Sequence, residues 1–335
     1  MFKWTGMATR VLAALAFIMG AGSGCAESVD DFFPKAADKF SGNYVGRWSA
    51  GEDVDPDIAA QVIALGKGEY HIVITSKLHM RAAHKLDIDV KEKDGKLHIE
   101  GEGLLGDCDG ETFNGGRKGT DRTFAMKRWY AAPESMGKPA PEGAVVLFDG
   151  KDLSAWDGTE GWQVLPEGIL LATPKSKYLT SKQLVKDCQL HIEFRTPFMP
   201  TFRGQGRGNS GVFIQGEFEC QVLDTFGLEG WYDECGALYK VAPPRVNACL
   251  PPLEWQVYDI TYHAPQFDAT GKQTAFARMT VYQNGILIHH EQELPQLTSW
   301  KEKERLAPHP KEPGPIKLQG HGNYVQYRNI WVKPL

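Results

Sequence analysis

The chain has 335 residues, enough for two ordinary domains, and 42% of them are hydrophobic, enough to bury a sizeable core. Its formal net charge of -5 provides no basic footprint for nucleic acid and no basic face for a membrane surface. The 36 glycines and 20 prolines imply many turns, as in a β-rich protein.

Lys3 and Arg10 precede the apolar run VLAALAFIMGAG, which is too short to span a bilayer as a stable helix. Small residues follow in SGCAES. This is the pattern of a secretory signal peptide at residues 1–26, with cleavage after Ala26. Cys25 opens a lipoprotein alternative, in which it becomes the acylated first residue, although Gly22 stands where a lipobox usually carries Leu. Both routes predict export, to the periplasm or the outside, with no membrane attachment beyond a lipid anchor at Cys25. An exported chain meets oxidising conditions. Beyond Cys25 there are Cys108, Cys188, Cys220, Cys235 and Cys249, an odd set that cannot pair fully. Cys220 reads as a small buried hydrophobe in a strand. Cys235 and Cys249 flank one loop and could close it, but the sequence does not assign the pairing.

Residues 27 to about 40 form a polar lead-in. From residue 41 to 130 the chain shows repeated strand patterns. QVIALGKGEYHIVITSK holds two apolar runs around Gly66-Lys67-Gly68, a hairpin signal. KLDIDVKEKDGKLHIEGEG is another, with Asp94-Gly95 at its turn. Residues 41–130 are therefore predicted to form a small antiparallel β-domain, either a meander or an open barrel. AAPESMGKPAPEGA breaks the pattern, and residues 131–143 read as a linker between independently folding units. A second β-rich region runs over residues 144–335. Its strongest hairpin signal is Asn284-Gly285 between MTVYQ and ILIHH. No long helix-period stretch follows the leader. Many short alternating strands predict an all-β chain whose C-terminal part is a two-sheet sandwich or jelly roll.

The stretch GNSGVFIQGEFECQVLDTFG, residues 208–227, concentrates polar groups in strand-like alternation. After the turn at Gly216, Phe218, Cys220 and Val222 share one face, while Glu217, Glu219 and Gln221 share the other. The apolar set must face a core, so the polar set faces outward, to solvent or to a ligand.

Six segments in order resemble the 3-keto-disaccharide hydrolase domain family: VLFDGKDLSAW, the stretch just quoted, ECGALY, PPLEWQVYDITYHAP, VYQNGILIHH and GPIKLQGHGNYVQYRNIWVKPL. They cover about residues 144–335. The resemblance implies a concanavalin A-like lectin/glucanase sandwich whose concave sheet presents a sugar-binding cleft. It also implies cleavage of glycosides oxidised at C3. It does not cover the N-terminal β-domain.

Within that frame Gln215, Gln221 and Gln319 are candidate substrate-binding groups, since a planar amide both donates to and accepts from sugar hydroxyls. Trp156, Trp162, Trp231, Tyr232, Tyr239 and Trp255 are candidate aromatic faces, with Tyr239 retained for the substrate site. Glucanases on this scaffold carry E-x-D-x-x-E on a cleft strand; the comparable run here is Glu219-x-Gln221-x-x-Asp224. Glutamine cannot ionise, so ordinary retaining hydrolysis by two carboxylates is poorly served. A C3 carbonyl changes the demand: it acidifies the hydrogen on C2, and the C1 oxygen can then leave by elimination before water adds back. That route needs a base, an acid and a group to hold the enolate. Glu219 is the expected base, with Asp224 as a carboxylate that could pair with it. His321, between glycines in LQGHGN, is the expected acid/base partner, and Arg328 the expected enolate cation. A divalent cation such as Ca²⁺ is frequent in such sandwiches by resemblance, and Glu219, Asp224 and His321 would offer it a mixed oxygen and nitrogen set. His289 and His290 are adjacent on a strand and point to opposite faces, so they cannot share an ion. The predicted partner is a carbohydrate. The predicted function is hydrolysis of 3-keto-glycosides or 3-keto-disaccharides. The alternatives are a non-catalytic carbohydrate-binding protein on the same sandwich, or a conventional glycosidase.

Overall fold

The computed structural model describes residues 28–49, 56–81 and 85–335. The predicted signal peptide and Cys25 lie outside the described residues.

The N-terminal region is a closed barrel of eight antiparallel strands: β1 (Gly42–Trp48), β2 (Asp57–Gly66), β3 (Glu69–Thr75), β4 (Leu86–Lys93), β5 (Lys96–Gly101), β6 (Leu104–Cys108), β7 (Thr112–Arg117) and β8 (Thr123–Trp129). The sequence allowed a meander or an open barrel; in the structure β8 pairs back onto β1 from Asn43↔Trp129 to Trp48↔Phe124. Closure removes both free edges, and eight strands leave an interior that side chains can fill. Tyr44, Val62, Ile72, Leu97, Phe113 and Met126 fill it. The turn at Asp94-Gly95 has positive φ at both residues, as its hairpin requires.

β2 and β3 are buried on both faces. Val62 and Ala64 of β2 and Ile72 and Ile74 of β3 point into the barrel, whereas Ile63 and Val73 point outward and join the core of the second region. The unbroken apolar runs of these two strands therefore carry two contacts, one on each face.

That second region is a sandwich of two antiparallel sheets. One has five strands in the order Trp156–Asp157, Tyr178–Val185, Gly314–Gln319, Ser210–Ile214, Phe218–Val222. The other has eight, with Cys188–Arg195 between Gln256–His263 and the last strand, Val325–Pro334. Between them lie Leu179, Ile192, Val212, Phe218, Cys220 and Leu318. Among the described residues the only helices of the α type are single turns, Val29–Phe32 and Glu302–Arg305. The five described cysteines beyond the leader are buried free thiols, so Cys235 and Cys249 are not bridged.

Residues 131–143 form turns laid on the outer face of the eight-stranded sheet. The Gly137 amide donates to Glu193 Oε1 at 2.6 Å, and Asn329 donates to the Lys138 carbonyl at 2.9 Å. Contacts between barrel and sandwich are also polar. Arg81, after β3, donates to the carbonyls of Gly230, Pro244 and Arg245. The lead-in reaches the sandwich too, with Phe32 packed 5.1 Å from Tyr324.

Candidate active site

The outer face of the five-stranded sheet forms the floor of a cleft of about 710 Å³. Strand alternation decides what stands on it. Val212, Ile214, Phe218, Cys220, Val222, Ile316 and Leu318 turn into the core. Their neighbours in sequence must then turn outward. The register arranges those neighbours in rows. One row runs Thr180, Lys317, Phe213, Glu219 across four strands. The next pairs Tyr178 with Gln319 and Gly211 with Gln221. Gly211 leaves a gap in that second row, and the Glu219 carboxylate leans over it: a Cβ at Gly211 would lie 2.1 Å from Glu219 Oε1. Any side chain there would displace the carboxylate.

The strand Phe218–Val222 is the edge of its sheet, yet it is covered on its open side. The Gln221 amide donates to the Ala237 carbonyl at 2.9 Å and the Gly236 amide to the Gln221 carbonyl at 3.0 Å. A strap that includes residues 297–301 closes the rest. Thr298 Oγ1 accepts from the Glu219 amide at 2.7 Å and donates to the Glu217 carbonyl at 2.7 Å. Trp300 on this strap is 71% exposed and lines the cleft mouth with Lys301 and Glu304.

Glu219 is 5% exposed. Its carboxylate accepts no hydrogen bond and meets no cation among the described residues. Burial alone therefore acts on it, and pushes its pKa up to about 8. Such a carboxyl gains and loses a proton near neutral pH and is a stronger base than an exposed glutamate. Gln221 is held by Gln205, to whose Oε1 it donates at 3.1 Å. Gln319 donates to the Tyr178 hydroxyl at 3.3 Å. Lys317 donates to the Gly216 carbonyl at 3.0 Å.

The cleft thus brings together Glu219, Gln221, Tyr239, Gln319 and His321, five of the eight residues singled out from the sequence. The other three stand elsewhere. Asp224 lies beyond the end of its strand and pairs with Arg207, Nε to Oδ2 at 2.7 Å, facing a different cavity. It is not beside Glu219, so Glu219, Asp224 and His321 do not assemble a metal set. Among the described residues no group of three or more His, Cys, Asp or Glu could hold a metal ion. Gln215 occupies the hairpin turn with φ of +52° and is buried, accepting from the Tyr262 hydroxyl at 2.5 Å and donating to the Glu312 carbonyl at 2.7 Å. It serves packing between the sheets. Arg328 is on the eight-stranded sheet, bound to Glu193 at 2.6 Å and stacked 4.0 Å from the Trp255 ring. Its strand belongs to the other sheet, so it cannot reach the cleft floor.

Of the aromatic candidates, Trp156 and Trp162 are core and Trp255 supports Arg328. Only Tyr239 of that group lines the cleft. Sequence reading passed over Tyr178, Lys317 and Trp300. The first two carried a signal: Lys317 alternates with the core residues Ile316 and Leu318, and Tyr178 precedes the core residue Leu179, just as Glu219 and Gln221 alternate with Phe218, Cys220 and Val222. Trp300 carried none, because its loop has no period. His289 is buried, its Nε2–H donating to the Gly236 carbonyl at 2.8 Å, and burial holds its pKa down at about 4.

Residues 143–333 match the 3-keto-alpha-glucoside-1,2-lyase-like domain. The chain belongs to this family. The match spans the sandwich and leaves the barrel outside it. A crystal structure of a protein from Parabacteroides distasonis ATCC 8503, provisionally assigned as a glycosyl hydrolase, is 39% identical over 59% of this chain and 86% of its own, with a TM-score of 0.54. A second protein of that organism with the same assignment is 24% identical over 57% of this chain and 99% of its own, with a TM-score of 0.43. No curated protein matches the chain.

Proposed function

We propose that the chain is an exported enzyme that cleaves 3-keto-glycosides by elimination and rehydration, with Glu219 as the base that takes the proton from C2. The observation that carries this reading is the isolation of Glu219: a buried carboxyl in a sugar-sized cleft, unpaired and raised to about 8. A proton on carbon beside a carbonyl needs a base of that strength more than an ordinary glycosidic oxygen does. Family membership supports the substrate class, and the leader pattern of residues 1–26 supports export.

Glu219 takes the C2 proton, and the electron pair moves into the C2–C3 bond and onto the C3 oxygen. The enolate then expels the C1 oxygen, which takes a proton from His321. Water then adds to C1 of the unsaturated ketone, giving its proton to His321, and the proton held by Glu219 returns to C2, which restores both residues. Lys317 replaces Arg328 as the cation for the enolate. It stands two strands from Glu219 in the same row, about 10 Å away at the backbone given the usual strand spacing, which leaves room for one pyranose ring between them. Gln221, Gln319 and Tyr178 offer hydrogen bonds to hydroxyls.

The conventional glycosidase loses ground because Asp224, the second carboxylate of the expected pattern, faces away. The binding-module alternative is separated by turnover. The purified protein is incubated with a 3-keto-disaccharide and with its unoxidised parent. Release from the keto sugar alone, slowed by deuterium at C2, supports the reading; equal cleavage of both, or binding without release, rejects it. His321→Ala should cut turnover by roughly 10²-fold, and by less with a leaving group that needs no proton.

A further inference from the structure

A second cavity, of about 380 Å³, lies at the seam between barrel and sandwich. The barrel supplies Ile63, Leu65 and His71, and the sandwich supplies the turn at residues 203–207 together with Leu223, Asp224 and Thr225. Gln205 lines both this cavity and the cleft. Its Oε1 accepts from Gln221 of the cleft at 3.1 Å, and its Nε2 donates to the carbonyl of Asp233 at 2.8 Å in the wall of the second cavity. The Gln205 side chain is thus a common wall of the two spaces.

Arg207 gives the second cavity its chemistry. Its side chain is only 8% exposed, and its Nε is taken by Asp224. Its two Nη groups line the cavity without an acceptor among the described residues. Buried N–H donors on a guanidinium call for oxygen acceptors. Leu65, Leu223 and Leu228 give the opposite, apolar character to the rest of the wall. A pyranose matches both, with an apolar C–H face and an edge of hydroxyls. The barrel interior is filled by its own side chains, so a ligand can meet the barrel only on its outer face.

We infer that this seam cavity is the subsite for the leaving sugar, and that the barrel, which the family match does not include, is what completes it. The inference rests on the function proposed above and adds to it that the substrate is a glycoside with a sugar-sized leaving group.

Leu65→Trp fills the cavity from the barrel side, away from Glu219, Lys317 and His321 of the cleft; Leu65→Ala leaves the space open. Turnover is measured on a 3-keto-disaccharide and on methyl 3-keto-glucoside, whose leaving methanol is too small to reach the seam. Leu65→Trp should raise KM for the disaccharide by roughly tenfold or more, the scale of a lost pocket contact, and leave the methyl glycoside within about twofold. Leu65→Ala removes one apolar contact without blocking the space, so it should raise KM for the disaccharide by less than Leu65→Trp and leave the methyl glycoside within about twofold. If Leu65→Trp does not fold, His71→Trp fills the same space from β3 and is read in the same way. Equal losses on both substrates, or no loss on either, overturn the subsite. Binding of free glucose, followed by saturation-transfer NMR, separates this inference from the reaction itself. Glucose binding that Leu65→Trp weakens supports the subsite even where wild type cleaves neither glycoside, an outcome that rejects only the reaction. Glucose binding that is absent from wild type, or unchanged in the variant, overturns the subsite whatever the turnover.

Discussion

Glu219 and Glu193 stand on the outer faces of the two sandwich sheets, both almost wholly withdrawn from water. Burial acts on each in the same direction, raising the carboxyl pKa. At Glu219 nothing opposes it, and the value reaches about 8. At Glu193, hydrogen bonds from His191, Asn329, the Gly137 amide and Arg328 outweigh it and hold the value at about 2. The surroundings of Glu193 are complete: His191 is stacked on Trp331 at 5.0 Å and held by Asp259 at 2.7 Å, and the linker closes over the top. The surroundings of Glu219 are open on the side where the cleft is. A fully partnered buried charge fixes structure, whereas a buried carboxyl with no partner costs stability and is kept where chemistry uses it.

The comparison can be broken most directly at Glu219. Glu219→Gln keeps the shape of the side chain and removes its basicity, so turnover on a 3-keto-glycoside should fall by roughly 10²- to 10⁴-fold, with substrate affinity little changed by calorimetry. Wild-type turnover in this variant would remove Glu219 from the mechanism. Glu193→Gln should do the reverse. Removing one member of a buried, hydrogen-bonded charge network should destabilise the fold by about 3 kcal/mol in a denaturant titration, while turnover per folded molecule stays near wild type.

The pH dependence sharpens the contrast, because the two glutamates have opposite signs. Glu193 is depressed from 4.5 to about 2. Its contribution is present above pH 4.5 and is lost as pH falls through that value towards 2. Glu219 is raised from 4.5 to about 8. In that window the unfolded chain has released the proton that the folded chain keeps, so stability falls as pH rises from 4.5 to 8. Melting temperature followed across pH should show the alkaline loss flattened in Glu219→Gln and the acid loss reduced in Glu193→Gln. Turnover by wild type should rise with pH up to about 8 as the base form of Glu219 accumulates. A flat profile would contradict the assignment.

The smallest expected effect is at Arg328. Arg328→Ala should leave kcat and KM within about twofold, because the side chain acts on Glu193 and not on the cleft. A loss on the scale of Glu219→Gln would mean that the eight-stranded sheet takes part in catalysis.

The sequence by itself determined the all-β class, the hairpin turns at Asp94-Gly95 and Asn284-Gly285, and the face of Glu219 and Gln221. These are local matters, set by a period of two and by turn residues that tolerate positive φ. It also pointed to the family, since six ordered segments survive as segments. Three things were decided only in the tertiary structure. Closure of the barrel depends on pairing between β1 and β8, more than seventy residues apart, which no local pattern encodes. The apolar runs of β2 and β3 mark a surface buried on both sides, but not what covers the outer one; Ile63 and Val73 show that it is the sandwich. And Asp224, Gln215 and Arg328 left the expected site because a strand end, a turn and a change of sheet redirect side chains by distances that residue spacing does not measure. Glu219 and Glu193 are the same letter in similar alternating runs. Only the hydrogen-bonding and charged partners around them, absent in one case and complete in the other, separate a poised base from a structural anion.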